Sequence, residues 1–240
     1  MYKLCSLLFE TVSENYNTNL QTLINLIDKA PKHSIVVAPE VSLTGFDYDN
    51  FEKLVKFADV ANEELKKASK DKIVIATMIE RKDDEFFNFA KIFYNGEIVH
   101  SQAKARLFRF GDEDKYMSEG IDEDIKIVEI DGIKIGILVC FELRFKELWQ
   151  KLEGCDVIAL PSWWGALRTE HFKVLSRSLA IMNQCYVVAS DSLNEECTKM
   201  SGIISPNGED VRNGNKPCLE LEYNKKDIAL MRRYMDVGIK

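Results

Sequence analysis

Short apolar strands alternate with amphipathic helices along this chain, and no proline-, glycine- or serine-rich linker, repeat or low-complexity tract separates them. This interleaving restricts the fold more than any other feature. It calls for β-sheets covered by helices within one α/β domain spanning 1–240. Leu4–Phe9 reads as a strand, and Asn17–Lys29 as a helix with Leu20, Leu23, Ile24 and Ile27 on one face. Ser34–Glu40 is an apolar strand ending in a proline and a carboxylate, and Phe51–Ser69 is helical. Lys72–Ile79 and Phe86–Phe93 are strands, and Asn95-Gly96 turns the chain into Glu97–Gln102. Asp131-Gly132 joins Ile125–Ile130 to Ile133–Cys140 in the same way. Helix Phe145–Leu152, strand Asp156–Pro161, helix Arg168–Gln184 and strand Tyr186–Ser190 follow. Ile203–Ser205 and Cys218–Leu221 are expected to pair around the Asn207-Gly208 turn, ahead of a short helix over Lys225–Tyr234. The hairpins require mixed rather than purely parallel pairing.

With 240 residues and 46% apolar side chains, the chain can bury a substantial core. The formal net charge is -7 and no dense Lys/Arg block occurs, which argues against nucleic acid or an anionic membrane as a main partner. No apolar run reaches the roughly 18–20 residues that span a bilayer. Met1–Glu10 turns acidic too soon for a signal peptide. The cysteines at 5, 140, 155, 185, 197 and 218 form no CxxC pair and no Cys/His group with zinc spacing. The expectation is a cytoplasmic protein with reduced thiols and no structural metal.

Three strand ends carry chemistry. Glu40 closes Ile35–Pro39, Lys104 follows Glu97–Gln102, and Cys140 closes Ile133–Val139. If these strands are neighbours, the side chains converge at a sheet edge, where open α/β sheets place their sites. Glu40 can then take the thiol proton as general base. Lys104 can favour the thiolate and stabilise a tetrahedral oxyanion. Cys140 can attack a carbonyl or nitrile carbon, giving a thioester or thioimidate. Each element alone is weak: a strand-end cysteine is more often a small buried hydrophobe, and a lone lysine or glutamate is usually at the surface.

The local motifs add what spacing cannot. Ala38-Pro39-Glu40-Val41-Ser42-Leu43-Thr44-Gly45-Phe46 resembles the glutamate block of the nitrilase, or carbon-nitrogen hydrolase, superfamily. Lys104-Ala105-Arg106-Leu107-Phe108 resembles its lysine block, and Val139–Leu148 its cysteine block. Glu113, Met117 and Gly120 fit its acidic block, and Leu160–Trp164 the segment before its long helix. Asn183–Val188 and Ser201–Gly208 fit its later blocks, so the resemblance spans nearly the whole chain. It implies an α-β-β-α sandwich with mixed sheets and an active site at one end. It implies Glu40 as base, Lys104 as oxyanion-stabilising cation, Cys140 as nucleophile and Glu113 as second carboxylate. The backbone N–H of Phe141 would be a further oxyanion donor. It also implies no metal or organic cofactor, and a homodimer. Four positions depart from the common pattern: Phe141 replaces tyrosine, Glu142 aspartate, Lys146 proline and Lys199 glycine. Ser192–Met200 is short, as for a trimmed pocket loop.

Trp163, Trp164, Arg168 and His171 lie where a pocket loop would meet a helix, and their spacing resembles the ω-amidase-like branch. Arg168 is a candidate carboxylate clamp through bidentate hydrogen bonding. Equally, Arg168 can solvate the helix start while the tryptophans pack at a dimer interface. His171 also invites a Cys–His protease reading, which a cysteine ending an apolar strand does not favour. The expected activity is thiol amidohydrolysis of a small linear amide, with a ω-amide of a dicarboxylic acid as the candidate substrate. N-carbamoyl hydrolysis is the enzymatic alternative, and a non-catalytic binding or scaffold member of the fold is the other.

Overall fold

Successive residues of the N-terminal strands face opposite ways. Leu4, Ile35, Val37, Ile73 and Ile75 pack into one apolar cluster, and Cys5, Leu7, Val36, Val74 and Ala76 into another. Strands apolar on both faces must be covered on both sides. The computed structural model describes residues 2–239 and does so in this way; of the expected domain, Met1 and Lys240 lie outside the described residues.

The chain runs β1 (Lys3–Leu7), α1 (Tyr16–Lys29), β2 (Ser34–Val37), α2 (Phe51–Ala68), β3 (Lys72–Lys82), β4 (Glu85–Tyr94) and β5 (Glu97–Ala103). It continues through α3 (Glu113–Tyr116), β6 (Val128–Ile130), β7 (Ile133–Ile137), α4 (Lys146–Lys151), β8 (Val157–Pro161), α5 (Thr169–Asn183) and β9 (Tyr186–Ser190). β10 (Gly202–Ile204), β11 (Asp210–Arg212), β12 (Cys218–Glu222) and α6 (Lys225–Tyr234) complete it. One sheet has the order β12-β1-β2-β3-β4-β5 and the other β11-β10-β9-β8-β7-β6. Each has a parallel centre, β1-β2-β3 or β7-β8-β9, flanked by antiparallel strands. Apolar residues of α1 and α2 cover the outer face of the first sheet. Leu148, Phe172, Leu179 and Ile228 bring α4, α5 and α6 into the core with the second sheet. This is the expected α-β-β-α sandwich.

Several boundaries differ from expectation for local reasons. The run Ile133–Cys140 leaves its ladder at Ile137, because Val139 N–H is taken by the Glu142 carboxylate at 2.6 Å. Ser34–Glu40 likewise stops at Val37, two residues before Pro39, which has no N–H to offer a ladder. Residues 125–127 are not strand; Ile125 instead ends a 3-10 turn over Asp122–Asp124. The expected helix Arg168–Gln184 begins one residue later, after a 3-10 turn, and ends with Gln184 in the left-handed region. The expected pairing of Ile203–Ser205 with Cys218–Leu221 does not form. β10 pairs with Asp210–Arg212, while Cys218–Glu222 crosses to β1 in the other sheet. Asn213 fixes that crossing, donating from its side chain to Ser6 O at 2.9 Å and from its backbone to Ser201 O at 2.8 Å.

Candidate active site

β2, β7 and β8 each run parallel to a neighbour, and the segments leaving their C-terminal ends meet at one end of the sandwich. Glu40 follows β2, Cys140 follows β7 and Trp163 follows β8. Glu40 N–H donates to Ser162 O at 3.2 Å, which joins two of these segments across the sheets. Lys104 follows β5, its N–H donating to Asn88 O at 2.8 Å. Two non-glycine residues here take left-handed backbone angles: Val41 (φ 39°) and Cys140 (φ 46°). For a β-branched residue this is a genuine outlier, of the kind that collects at functional sites. At Cys140 it turns the chain sharply from strand into a 3-10 turn over Cys140–Arg144.

Lys104 is fully buried between two carboxylates. Its Nζ donates to Glu40 Oε1 and Glu113 Oε1, each at 2.8 Å. Glu40 Oε1 also accepts from Asn88 Nδ2 at 2.9 Å, and its Oε2 from Trp163 N–H at 3.1 Å. Glu113 Oε2 accepts from Phe108 N–H at 3.0 Å. The Cys140 thiol stands close enough to Glu40 for each to act on the other's charge. Burial draws Lys104 toward its neutral form, but Glu40 and Glu113 outweigh it and hold the ammonium above its usual range. Burial pushes Glu40 up, and Lys104 only partly offsets this. Burial, then repulsion from Glu40, pushes the Cys140 thiol well above its usual range. Lys104 itself pulls the thiol toward the thiolate, but burial and Glu40 outweigh it. The two carboxylates that hold its ammonium limit that pull. One cation facing two buried carboxylates leaves an excess negative charge, and the group holds an extra proton most cheaply as the thiol or a carboxylic acid.

Beside the thiol lies a narrow pocket, bounded by Phe108, Phe141, Trp163, Arg144 and Arg168 as well as Cys140. Trp164 also lines it. Trp164 N–H donates to Asp191 Oδ1 at 2.9 Å and its Nε1 to Arg168 O at 3.0 Å. Trp163, Trp164 and Arg168 thus line the pocket. His171 does not reach the lining. Its Nδ1 lies 3.0 Å from an Arg144 guanidinium nitrogen, so it supports Arg144 from behind. The Arg144 guanidinium lies 4.9 Å from the centre of the Trp164 ring, and that of Arg168 lies 5.1 Å from the centre of Phe108. Burial and the neighbouring Arg168 charge both press Arg144 below its usual range. Two like charges in one small pocket favour an anion between them. The short Ser192–Met200 segment is firmly held: Gly165 bridges Cys197, Ala166 N–H donates to Glu196 O at 2.7 Å, and Thr198 N–H donates to Trp164 O at 2.8 Å.

The carbon-nitrogen hydrolase family profile matches residues 6–229. The chain belongs to the carbon-nitrogen hydrolase family. It is accordingly a hydrolase acting on carbon-nitrogen bonds. This carbon-nitrogen hydrolase is 30% identical over 233 residues to the 2-oxoglutaramate amidase of Bacillus subtilis (strain 168), covering 91% of this chain and 89% of that protein. It is 29% identical over 224 residues to the omega-amidase YafV of Escherichia coli (strain K12), covering 91% and 87%. Its fold superimposes on Saccharomyces cerevisiae Nit3, a member of branch 10 of the nitrilase superfamily, with a TM-score of 0.86 at 22% identity over 99% of this chain and 95% of that one. Among the described residues, no helix is long and apolar enough to cross a membrane, and no group of three or more His, Cys, Asp or Glu side chains is placed to hold a metal ion.

Sequence reasoning did not single out Asn88 or Arg144. Asn88 sits inside an apolar strand, where only the register of β4 shows that its amide faces Glu40. Arg144 stood in view within the cysteine block, four residues after the nucleophile, and helical spacing there would have placed it beside Cys140.

Proposed function

We propose that this protein is a thiol amidohydrolase that converts a small linear amide and water into a carboxylic acid and ammonia, the domain 1–240 carrying the whole site. The carrying observation is the Lys104 ammonium held between Glu40 and Glu113, with the Cys140 thiol beside Glu40 at the wall of a pocket that holds two arginines. In this reading Glu40 takes the thiol proton as Cys140 Sγ attacks the amide carbon. The oxyanion forms between Lys104 Nζ, which has one N–H beyond the two given to carboxylates, and the Phe141 N–H. That N–H lies in the first turn of a 3-10 segment, where backbone donors lack intrahelical partners. Collapse breaks the C–N bond, Glu40 returns the proton to the departing nitrogen, and ammonia leaves a Cys140 thioester. Water then attacks with Glu40 again as base, the C–S bond breaks, and the acid and the free thiol are released. Glu113 keeps the ammonium in place.

The substrate class follows from the pocket. Arg144 and Arg168 suit a carboxylate at the end of the substrate remote from the amide. Two similar proteins named for 2-oxoglutaramate amidase and omega-amidase activity support the same choice. The protein is proposed to work as a cytoplasmic homodimer without a cofactor. Its six cysteines are unbridged, and Val174 and Met182 of α5, with Leu230, Tyr234 and Met235 near the C-terminus, expose apolar surface. A monomer in sedimentation at micromolar concentration would overturn the dimer.

The deciding experiment offers the purified protein a panel of ω-monoamides, neutral amides and N-carbamoyl compounds. Ammonia release without CO2, greatest for ω-monoamides and abolished in Cys140→Ala, is expected. A slow amide or a hydroxamate should leave an adduct on Cys140. Unchanged ammonia release in Cys140→Ala, with no adduct, would sink the reading; CO2 released with the ammonia would move it to carbamoyl hydrolysis.

A further inference from the structure

One carboxylate in the 3-10 turn after the nucleophile takes no part in this scheme. Glu142 is fully buried, and both its oxygens accept from backbone N–H groups. Oε1 accepts from Ala105 N–H and Oε2 from Val139 N–H, each at 2.6 Å. Ala105 directly follows Lys104, and Val139 directly precedes Cys140. A single side chain thus ties the residue beside the cation to the residue beside the nucleophile. β5 and β7 belong to different sheets, so no ladder hydrogen bond sets the spacing of their ends.

We propose that Glu142 is a positioning residue that fixes Lys104 Nζ relative to Cys140 Sγ, and with it the site in which the oxyanion forms. The inference rests on the roles given above to Lys104 and Cys140. Only an ionised carboxylate can accept fully at both ends of this tie; an amide accepts at one oxygen and turns its NH2 against the other N–H. Hydrogen bonds to an ionised acceptor are the stronger kind, and transition-state contacts lose effect with displacements of about 1 Å. The charged groups that face Glu142 are Lys104, beyond β5, which favours its charge, and Glu40, beyond β2, which opposes it. Burial outweighs the pull of the two N–H groups and of Lys104, and pushes the carboxyl up to about 7. Protonation turns one acceptor into an O–H and slackens one end of the tie. Turnover therefore falls on the acid side through a group that never meets substrate. The longer reach of glutamate, where the family commonly has aspartate, gives the side chain the span to serve both segments.

The test measures kcat and KM for ammonia release from a ω-monoamide between pH 5 and pH 9, with thermal unfolding in parallel, for the native protein, Glu142→Gln and Glu142→Asp. Glu142→Gln should lose about 10- to 100-fold in kcat, with KM changed less than about twofold, and should lose part of the acid limb. Glu142→Asp, which keeps the charge, should recover part of kcat and keep the acid limb. It also carries the test if the glutamine variant does not fold. A Glu142→Gln enzyme with native kcat and pH profile would overturn the proposal. So would a Glu142→Asp enzyme with native thermal stability and no recovered turnover. Failure of the underlying reading is reported separately, by ammonia release that survives Cys140→Ala.

Discussion

Arg144 and Arg168 lean on aromatic faces, of Trp164 and Phe108, rather than on carboxylates. Neither has its charge neutralised by an acidic side chain in the pocket wall. Replacing Arg168 with methionine keeps bulk against Phe108 and removes one charge-assisted bond, worth about 1.5–3 kcal/mol. The expected result is a KM for ω-monoamides raised about 10- to 100-fold, with neutral amides nearly unaffected; equal losses on both classes would remove Arg168 from substrate binding. At this scale Glu40, Lys104 and Cys140 stood out because each follows a strand and lies in a motif block. Glu113 was legible only through a motif, since a short helix is what carries it back to Lys104. The upward shift of the thiol was not legible at all. It depends on two carboxylates brought to one lysine from distant parts of the chain, which no local pattern records.

At the scale of elements, the position of Lys104 depends on how tightly the segment after α3 packs against the end of β5. Gly120 N–H donates to Lys104 O at 2.8 Å, and a Cβ added at Gly120 would lie 2.3 Å from Ala103 O. Backbone on backbone cannot yield as a side-chain tip can. Gly120→Ala should therefore cost about 1–3 kcal/mol in denaturant unfolding. It should also lower kcat, because the same shift moves Lys104. Native turnover together with native stability would refute the coupling. The strands and helices themselves were largely readable from apolar periodicity, while their ends and one pairing were not. β2 and β7 stop early because Pro39 and the Glu142 carboxylate intervene, and these are single-residue events inside otherwise strand-like runs. The partner of Cys218–Glu222 was misread because the Asn207-Gly208 turn does form a short hairpin, but with Asp210–Arg212. Sequence proximity favoured the wrong partner, and Asn213 redirects the chain to a strand more than two hundred residues upstream.

Across the whole molecule, two buried carboxylates make stability depend on pH in an uncommon direction. Burial pushes both Glu142 and Asp191 up to about 7. The folded protein thus binds these protons more tightly than the unfolded chain, whose carboxylates titrate near pH 4. The contribution is fully present below that range and is lost as pH rises toward 7; a shift of this size corresponds to about 4 kcal/mol per group. The midpoint of thermal unfolding should fall between pH 5 and pH 8, and fall less in Asp191→Asn. An equal fall in that variant would mean that Asp191 titrates normally. The order of strands carries a temporal consequence as well. β1 is made more than two hundred residues before its antiparallel neighbour β12. At about 5–20 residues per second, one border of the nascent sheet stays open for roughly 10–40 s. Its backbone donors and acceptors are available to any extended polypeptide during that interval. That border closes only once β12 has been made and reaches β1.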